Sequence, residues 1–549
     1  MINYILIVNG SIVFVLFYKM FYRNISRILM SVVMAAIQVH EPGPFLDAPG
    51  DAPAAAEATC PVWELGLPSA MYGWLSQLPA QMHWQLLGLL KAAKSRLAPT
   101  PALGTACSGT DLVTKLLDVL DKILMHDQGW SFAFTSEFAA ESDEKKQAWI
   151  KHHHPSLRHL FGNSLHLSQH MAPCLLSGGE TAIIPYVHMF LSGFSCKSRS
   201  PMNGSRKRFR NCIQDAIPCE TTETFEAAFS YIKSAIPVIA ILENVKELLE
   251  SHGKEASDAE HILGRFRAIG YWAASFVMSA EEFGSKARRV RLYILAVHVQ
   301  DGVDLDNPAI EDFIRHLLTG MSHGGGLAQL SDFVELKNAP KYYDRIKKSA
   351  IVDPKYNEEH MEAYGMAGLR WPPNLQEFGF INMAGMSERQ QELAVYLHAK
   401  FPATDSEPNF VDINHSMSRL IGQLDAPRNP WSAVIQTLTG QSSILMRWSP
   451  ELASAPACRL LTGSELMKII GWTPSMSVGQ TADGLPAGEE ECMLVSLAGN
   501  AFSGFSVAPM MIAGLAIAGA TATSFATPTA IDAGTEVDIR SDSSAHGSL

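Results

Sequence analysis

The sequence predicts an α/β protein: a doubly wound, mostly parallel sheet carrying a smaller inserted domain. Two observations support this. Between residues 102 and 299, short apolar runs alternate with amphipathic runs of helix length. That is the pattern of βαβ units whose sheet is covered on both faces. From 301 to about 455 the alternation stops and Pro, Gly and Asn become frequent, and order returns over 456–520.

The elements follow in order. Residues 62–96 read as helical, with good helix formers and a Lys/Arg-rich end. ALGTACSG (102–109) is a small-residue strand running into a Gly turn. DLVTKLLDVLDKIL (111–124) places Leu112, Leu116, Leu117, Leu120 and Leu124 at helical spacing. SFAFTSE (131–137) is a strand ending in a carboxylate, and EKKQAWIKHH is helical. VHMFLSGF (187–194) is a strand, TFEAAFSYIKSAI (224–236) a helix, and PVIAILEN (237–244) a buried strand ending in Glu-Asn. AEHILGRFRAIG (259–270) is helical, while YWAASFVMSA (271–280) and RLYILAVHV (291–299) are strands. In such sheets ligands bind beyond the strand carboxyl ends. Ser108–Gly109, Glu137, Cys196 and Glu243–Asn244 all fall there.

Cys196 lies between an apolar strand and a run of cations: Lys197, Arg199, Arg206, Lys207, Arg208 and Arg210. Neighbouring cations lower a thiol from its usual pKa of about 8.5 and make it nucleophilic. The alternative is an inert buried cysteine, the common fate of a free one. Convergence with the carboxylates and the Gly turn favours the nucleophile.

Composition sets outer bounds. The 549 residues suggest three or four domains, and a hydrophobic content of 47% is that of a globular protein. The net charge of −12 argues against a surface coated with nucleic acid but leaves room for a local basic cleft. The eight cysteines form no CxxC pair, so neither a zinc site nor a disulfide framework is signalled. His152, His153, His154, His159, His166 and His170 cluster without a recognisable ligand set, and no metal is expected. Residues 1–39 hold an apolar run interrupted by Asn9. They read as a targeting segment or an extension preceding a start at Met30 or Met34, with stable membrane insertion not expected. Residues 40–60 read as a linker, and 521–549 lack the apolar content to fold.

The order of motifs resembles the cytosine-5 DNA methyltransferases, over roughly 100–300 and 456–520. ACSGTD (106–111) is similar to the family's Phe-x-Gly-x-Gly turn, with Gly109 as first glycine, Cys107 in place of Phe and Asp111 in place of the second Gly. GFSCKSRS (193–200) resembles Gly-Phe-Pro-Cys-Gln-x-x-Ser, with Ser195 replacing proline and Lys197 replacing glutamine. LFGN (160–163) resembles Phe-Gly-Asp, and AILENVKELL (240–249) the Glu-Asn-Val motif. ARRVR (287–291) resembles Gln-x-Arg-x-Arg, with Ala287 replacing Gln. RLLTGSELMKIIGW (459–472) and GNAFSGFSVAPMM (499–511) resemble the closing elements. The order and spacing of these motifs, rather than any one of them, carry the resemblance.

The resemblance implies a Rossmann-like fold and an S-adenosyl-L-methionine cofactor. It is expected near Cys107, Ser108, Gly109, Glu137, Phe138, Asn163, Asn500 and Ala501, with the Glu137 carboxylate on the ribose diol. Cys196 would add to carbon 6 of cytosine, Glu243 would give a proton to ring nitrogen 3, and Asn244 would fix the surrounding loop. Arg289 would hold the base carbonyl or orient the acid, with Arg291 beside it. A stacked base must be flipped out to be reached. The partner would be double-stranded DNA, its phosphates contacted by Lys197, Arg199, Arg206, Lys207, Arg208 and Arg210, in the nucleus or wherever the cell holds DNA, an organelle included. Ser195, Asp111, Asn163 and Ala287 depart from the family pattern and leave a nonenzymatic homologue as an alternative reading. An RNA-directed enzyme is a second, though no Cys-Phe-Thr occurs in the recognition region.

Overall fold

The computed structural model describes residues 65–97, 99–251, 256–299, 308–324, 330–334, 386–401, 408–415, 420, 428–448, 457–476 and 487–523. The apolar N-terminal segment, the linker and the tail beyond 523 lie outside the described residues, as does much of the expected recognition region.

Seven strands form the main sheet: β1 Ala102–Ala106, β2 Thr135–Ala140, β3 His159–Phe161, β6 Met189–Ser192, β7 Ile239–Asn244, β8 Tyr271–Ser279 and β9 Val290–His298. Their order is β3-β2-β1-β6-β7-β9-β8. All are parallel except β9, which runs antiparallel to both neighbours. After β1 the chain builds toward β3, then crosses back to β6 and β7. The reversal between β1 and β6 opens a crevice beyond their carboxyl ends. A hairpin of β4 Met171–Pro173 and β5 Thr181–Ile183 lies in the crossover.

Side-chain alternation sorts the strands between two cores. Leu103, Leu191, Ile241 and Leu295 face one, with helices α1 Leu67–Ser76, α2 Ala80–Arg96 and α3 Leu112–Gln128. Phe190, Ala240, Leu242 and Ile294 face the other, with α5 Glu220–Ala235 and α6 Asp258–Arg267. The helix expected over 62–96 is two helices, broken at Pro79, which has no amide proton to continue the first. Helix α4 Glu144–His153 is capped by Asp143, whose carboxylate accepts from the Lys145 and Lys146 amides.

Helix α7 Pro308–Gly324 lies within the expected recognition region, yet Ile314, Leu317 and Met321 sit in the first core. This helix is therefore part of the larger body, which corrects the boundary at 301. Helix α8 Glu388–Lys400 packs with a three-stranded sheet, β10 Asn409–Asp412, β11 Ile444–Trp448 and β12 Ala457–Leu460, around a small core containing Leu393, Val411, Leu445 and Cys458. The chain then returns through α9 Gly463–Ile470, α10 Ala487–Asn500 and α11 Gly504–Thr523. Helix α11 is long and apolar enough to cross a membrane, but 94% of that span is buried within the protein. It is a core helix: a Cβ on Gly519 would meet the Leu89 carbonyl oxygen of α2 at 1.9 Å.

Candidate active site

The turn after β1 is shaped by three residues of positive φ: Cys107 (50°), Gly109 (59°) and Asp111 (54°). At Gly109 a Cβ would meet the Asn500 carbonyl oxygen at 3.3 Å and the Ala501 Cα at 3.2 Å. The returning Gly-Asn-Ala segment thus closes onto the turn. The Ser108 hydroxyl is buried against Thr105 at 2.7 Å. The Cys107 thiol donates to Ser164 at 3.5 Å, and burial pushes its pKa up to about 11. That leaves it a poor competitor for nucleophile.

Asp111 does not face a cofactor site. Its carboxylate is 1% exposed and accepts from Thr105 at 2.8 Å and Thr114 at 2.9 Å, with His154 Nδ1 3.9 Å away. Burial pushes Asp111 up to about 7 and His154 down to about 3. His154 therefore favours its neutral form and Asp111 holds its proton up to about pH 7, so below that pH the pair is a buried polar contact rather than an ion pair.

The acid at the end of the second strand is Glu141, not Glu137. The strand expected over 131–137 runs from Thr135 to Ala140, which leaves Glu137 in its middle. There Glu137 pairs with Arg158 at 2.9 Å. Glu141 follows the strand directly, is 5% exposed, and accepts from the amides of Gly109 (2.9 Å), Ser142 (2.9 Å) and Asp143 (3.0 Å). It thereby joins the carboxyl ends of β1 and β2. Phe138 is also displaced from its expected role: its fully buried ring packs against Phe161, Phe190 and Tyr231. A Cβ on Gly104 would come within 2.4 Å of that ring. Asn163 follows β3 and accepts from the Leu165 amide at 2.9 Å, capping a short turn.

Cys196 lies past the end of β6. Asn244, the last residue of β7, donates through Nδ2 to the Phe194 carbonyl at 2.8 Å and to that of Ser195 at 3.5 Å. Its Oδ1 accepts from the Val245 amide at 2.8 Å. This holds the cysteine loop against the end of β7, beside Glu243. Ser195 retains the amide proton that a proline would lack, and donates it to Thr224 Oγ1 at 2.9 Å. Opposite, the Phe502 ring covers Gly193, where a Cβ would sit at 3.1 Å.

The thiol of Cys196 is raised, which reverses the expected lowering. Burial is the largest cause, and the Glu243 charge adds to it, while Arg291 and Arg289 oppose. The cations adjacent in sequence are turned elsewhere. Lys197 pairs with Glu220 at 2.9 Å on the surface. Arg199 is 2% exposed, so it cannot reach a phosphate. Its Nε lies 3.6 Å from Asp258, and its Nη atoms donate to the Phe209, Glu247 and Glu250 carbonyls. Arg206 is half-buried, while Lys207, Arg208 and Arg210 are exposed.

Arg289 and Arg291 are placed differently from expectation. Arg291 Nε sits 3.0 Å from Glu243 Oε1, an ion-pair contact whose angle falls short of a hydrogen bond. Arg289 is buried and donates to the Gly499 carbonyl at 3.0 Å and the Ala501 carbonyl at 2.7 Å. Arg291 therefore contacts the Glu243 carboxylate, and Arg289 fastens the returning segment to the sheet. Among the described residues, no group of three or more His, Cys, Asp and Glu could hold a metal ion.

Residues 133–361 match the family described as C-5 cytosine-specific DNA methylase. The DNA (cytosine-5-)-methyltransferase DMT5 of Cryptococcus neoformans var. grubii is 26% identical over 215 residues, 39% of this chain and 8% of that protein. The Type II methyltransferase M.NgoFVII of Neisseria gonorrhoeae is 26% identical over 125 residues, 23% of this chain and 30% of that protein. The chain thus spans well under two thirds of either relative. Among solved structures, the S. pombe Dnmt2 methyltransferase aligns at 12% identity and a TM-score of 0.39, covering 75% of this chain and 97% of that one. The Entamoeba histolytica methyltransferase EhMeth aligns at 11% and 0.36, covering 76% and 98%. The fold assignment rests on the strand order, and residues 133–361 are similar to the C-5 cytosine-specific DNA methylase family.

Proposed function

We propose that this chain is an S-adenosylmethionine-dependent DNA (cytosine-5-)-methyltransferase that works through a covalent Cys196 adduct. The observation that carries the reading is the clamp of Asn244 on the Phe194 and Ser195 carbonyls, which holds the Cys196 loop beside Glu243. Carbon 5 of cytosine is a poor nucleophile. Addition of the Cys196 sulfur to carbon 6, with a proton delivered to nitrogen 3, makes it enamine-like. Glu243 is the proton donor. Its negative charge raises Cys196, so passing the thiol proton to Glu243 relieves that repulsion, frees the thiolate and supplies the proton that Glu243 then gives to nitrogen 3. Arg291 keeps the acid aimed throughout. After carbon 5 is methylated, loss of its proton restores the ring and breaks the carbon–sulfur bond.

The residues fit the cofactor. Glu141 offers a carboxylate at the end of β2, suited to a ribose diol, and the glycine at 109 leaves room where the returning segment closes. Asn163 and Cys107 line the same strand ends. When bound, S-adenosylmethionine supplies an electrophilic methyl group to carbon 5. The family resemblance and the exposed Lys207, Arg208 and Arg210 beyond the Cys196 loop support a DNA partner, and with it a location alongside DNA inside the cell. The partner of the Ser195 amide supports a competent loop over a degenerate one. The test is formation of a denaturation-resistant adduct on 5-fluorocytosine duplex DNA, with the equivalent RNA as competitor. An adduct on RNA alone would reassign the substrate.

A further inference from the structure

Three threonines, Thr221, Thr222 and Thr224, open helix α5. Threonine is a mediocre helix former, and its hydroxyl usually bonds its own helix. Here each hydroxyl also reaches into the loop that carries Cys196. Thr224 Oγ1 accepts the Ser195 amide at 2.9 Å and donates to the Glu220 carbonyl at 2.7 Å. Thr221 Oγ1 accepts the Ser198 amide at 3.3 Å. Thr222 Oγ1 donates to the Cys212 carbonyl at 3.1 Å, where the loop ends. The amides on both sides of Cys196 are thus bound to one rigid helical turn, and all three threonines are buried.

We propose that Thr221 and Thr224 are positioning residues that fix the backbone on either side of the Cys196 nucleophile. The proposal rests on the reading of Cys196 given above. Ser195 and Thr224 are a linked choice. Ser195 has an amide proton that needs an acceptor once buried, and Thr224 supplies the acceptor. A proline at 195 would need none. Asn244 holds the carbonyls of residues 194 and 195, and the threonines hold the amides of 195 and 198. Together they leave Cys196 little freedom except through its side chain.

The test reads Cys196 directly and needs no transferase activity. The full-length chain, T224V, T224S, S195P and S195P/T224V are alkylated with iodoacetamide across pH. Modification of Cys196 is followed by peptide mass spectrometry, and the thermal midpoint is measured alongside. T224V is expected to speed alkylation about tenfold, the scale of change when a buried amide loses its acceptor. Fluorocytosine adduct formation should slow by a similar factor at unchanged DNA affinity. T224S keeps the hydroxyl and should behave as wild type. S195P/T224V should recover most of the wild-type rate, because neither donor nor acceptor remains. The proposal is overturned if T224V alkylates as wild type, even with a lowered thermal midpoint. It is equally overturned if T224S fails to rescue, or if the double variant is no better than T224V. Should T224V not fold, S195P/T224V and Thr221→Val against Thr221→Ser carry the comparison. Wild-type alkylation without any adduct would count against the proposed function alone.

Discussion

Replacing Arg199 by alanine should destabilise the protein strongly and leave the salt dependence of DNA binding almost untouched. The guanidinium is buried, with Nε 3.6 Å from Asp258, itself 0% exposed. It also donates to the carbonyls of Phe209, Glu247 and Glu250. It thus ties the Cys196 loop to the segment after β7 and to the start of α6. Removing one partner of a buried ion pair costs about 3–5 kcal/mol, because the other charge is left uncompensated. Asp258 would keep only the Ile213 and Gln214 amides and the weak Cys212 thiol donor. A loss of this size is a large share of the roughly 5–15 kcal/mol that holds a typical fold together. Urea unfolding measures it. Salt titration of DNA binding separates the roles, since each phosphate contact contributes about 0.9 to the slope. R199A should keep the wild-type slope, whereas Arg208→Ala should lower it by about one. An unchanged unfolding free energy with a reduced slope in R199A would refute the buried-staple account and return Arg199 to the DNA.

Two further outcomes follow from corrected residues. Glu141→Gln should weaken S-adenosylmethionine binding by about ten- to a hundredfold, the worth of hydrogen bonds to a charged acceptor. Glu137→Gln should change it less than twofold, and the reverse ranking by calorimetric titration would contradict the placement of the ribose acid. Asp111, raised to about 7, holds a proton in the folded state that the unfolded chain releases near pH 4. Its contribution to stability is therefore full below about pH 4 and lost as pH rises through about 7. The stability difference between wild type and Asp111→Asn should fall over that window by on the order of 2–4 kcal/mol, the His154 titration being common to both. A difference independent of pH would show that Asp111 is ionised in the fold.

The parts of the site legible in sequence were those where an apolar strand runs straight into chemistry. Ile239–Asn244 ends in Glu-Asn, and Met189–Ser192 leads into Cys196. Strand burial alone makes such runs visible, and the resemblance then supplied roles. Glu141 was missed because SFAFTSE has the aromatic content of a strand, yet pairing begins only at Thr135. A local signal existed: Glu141 sits two residues before Asp143, the cap of α4, where a strand-to-helix turn belongs. Arg199 gave no such signal. Within a run of cations its charge looks solvent-facing, and only the tertiary approach of Asp258 shows otherwise. The raised Cys196 thiol is also tertiary in origin: burial raises it most, the Glu243 charge adds to that, and Lys197, adjacent in sequence, is turned away to Glu220. The partition between Arg289 and Arg291 depends on where the returning segment closes, which spacing does not encode.

The central claim is that Cys196 forms a covalent bond to a flipped cytosine during methyl transfer. The most direct measurement incubates the full-length chain, with Cys196→Ala alongside, on duplex DNA containing 5-fluorocytosine together with S-adenosylmethionine. The fluorine at carbon 5 blocks the final proton loss, so the adduct persists. The account predicts a gel-stable protein–DNA species in wild type only, with the modified peptide mapping to Cys196. The absence of adduct on varied duplexes, with cofactor binding intact, would contradict it.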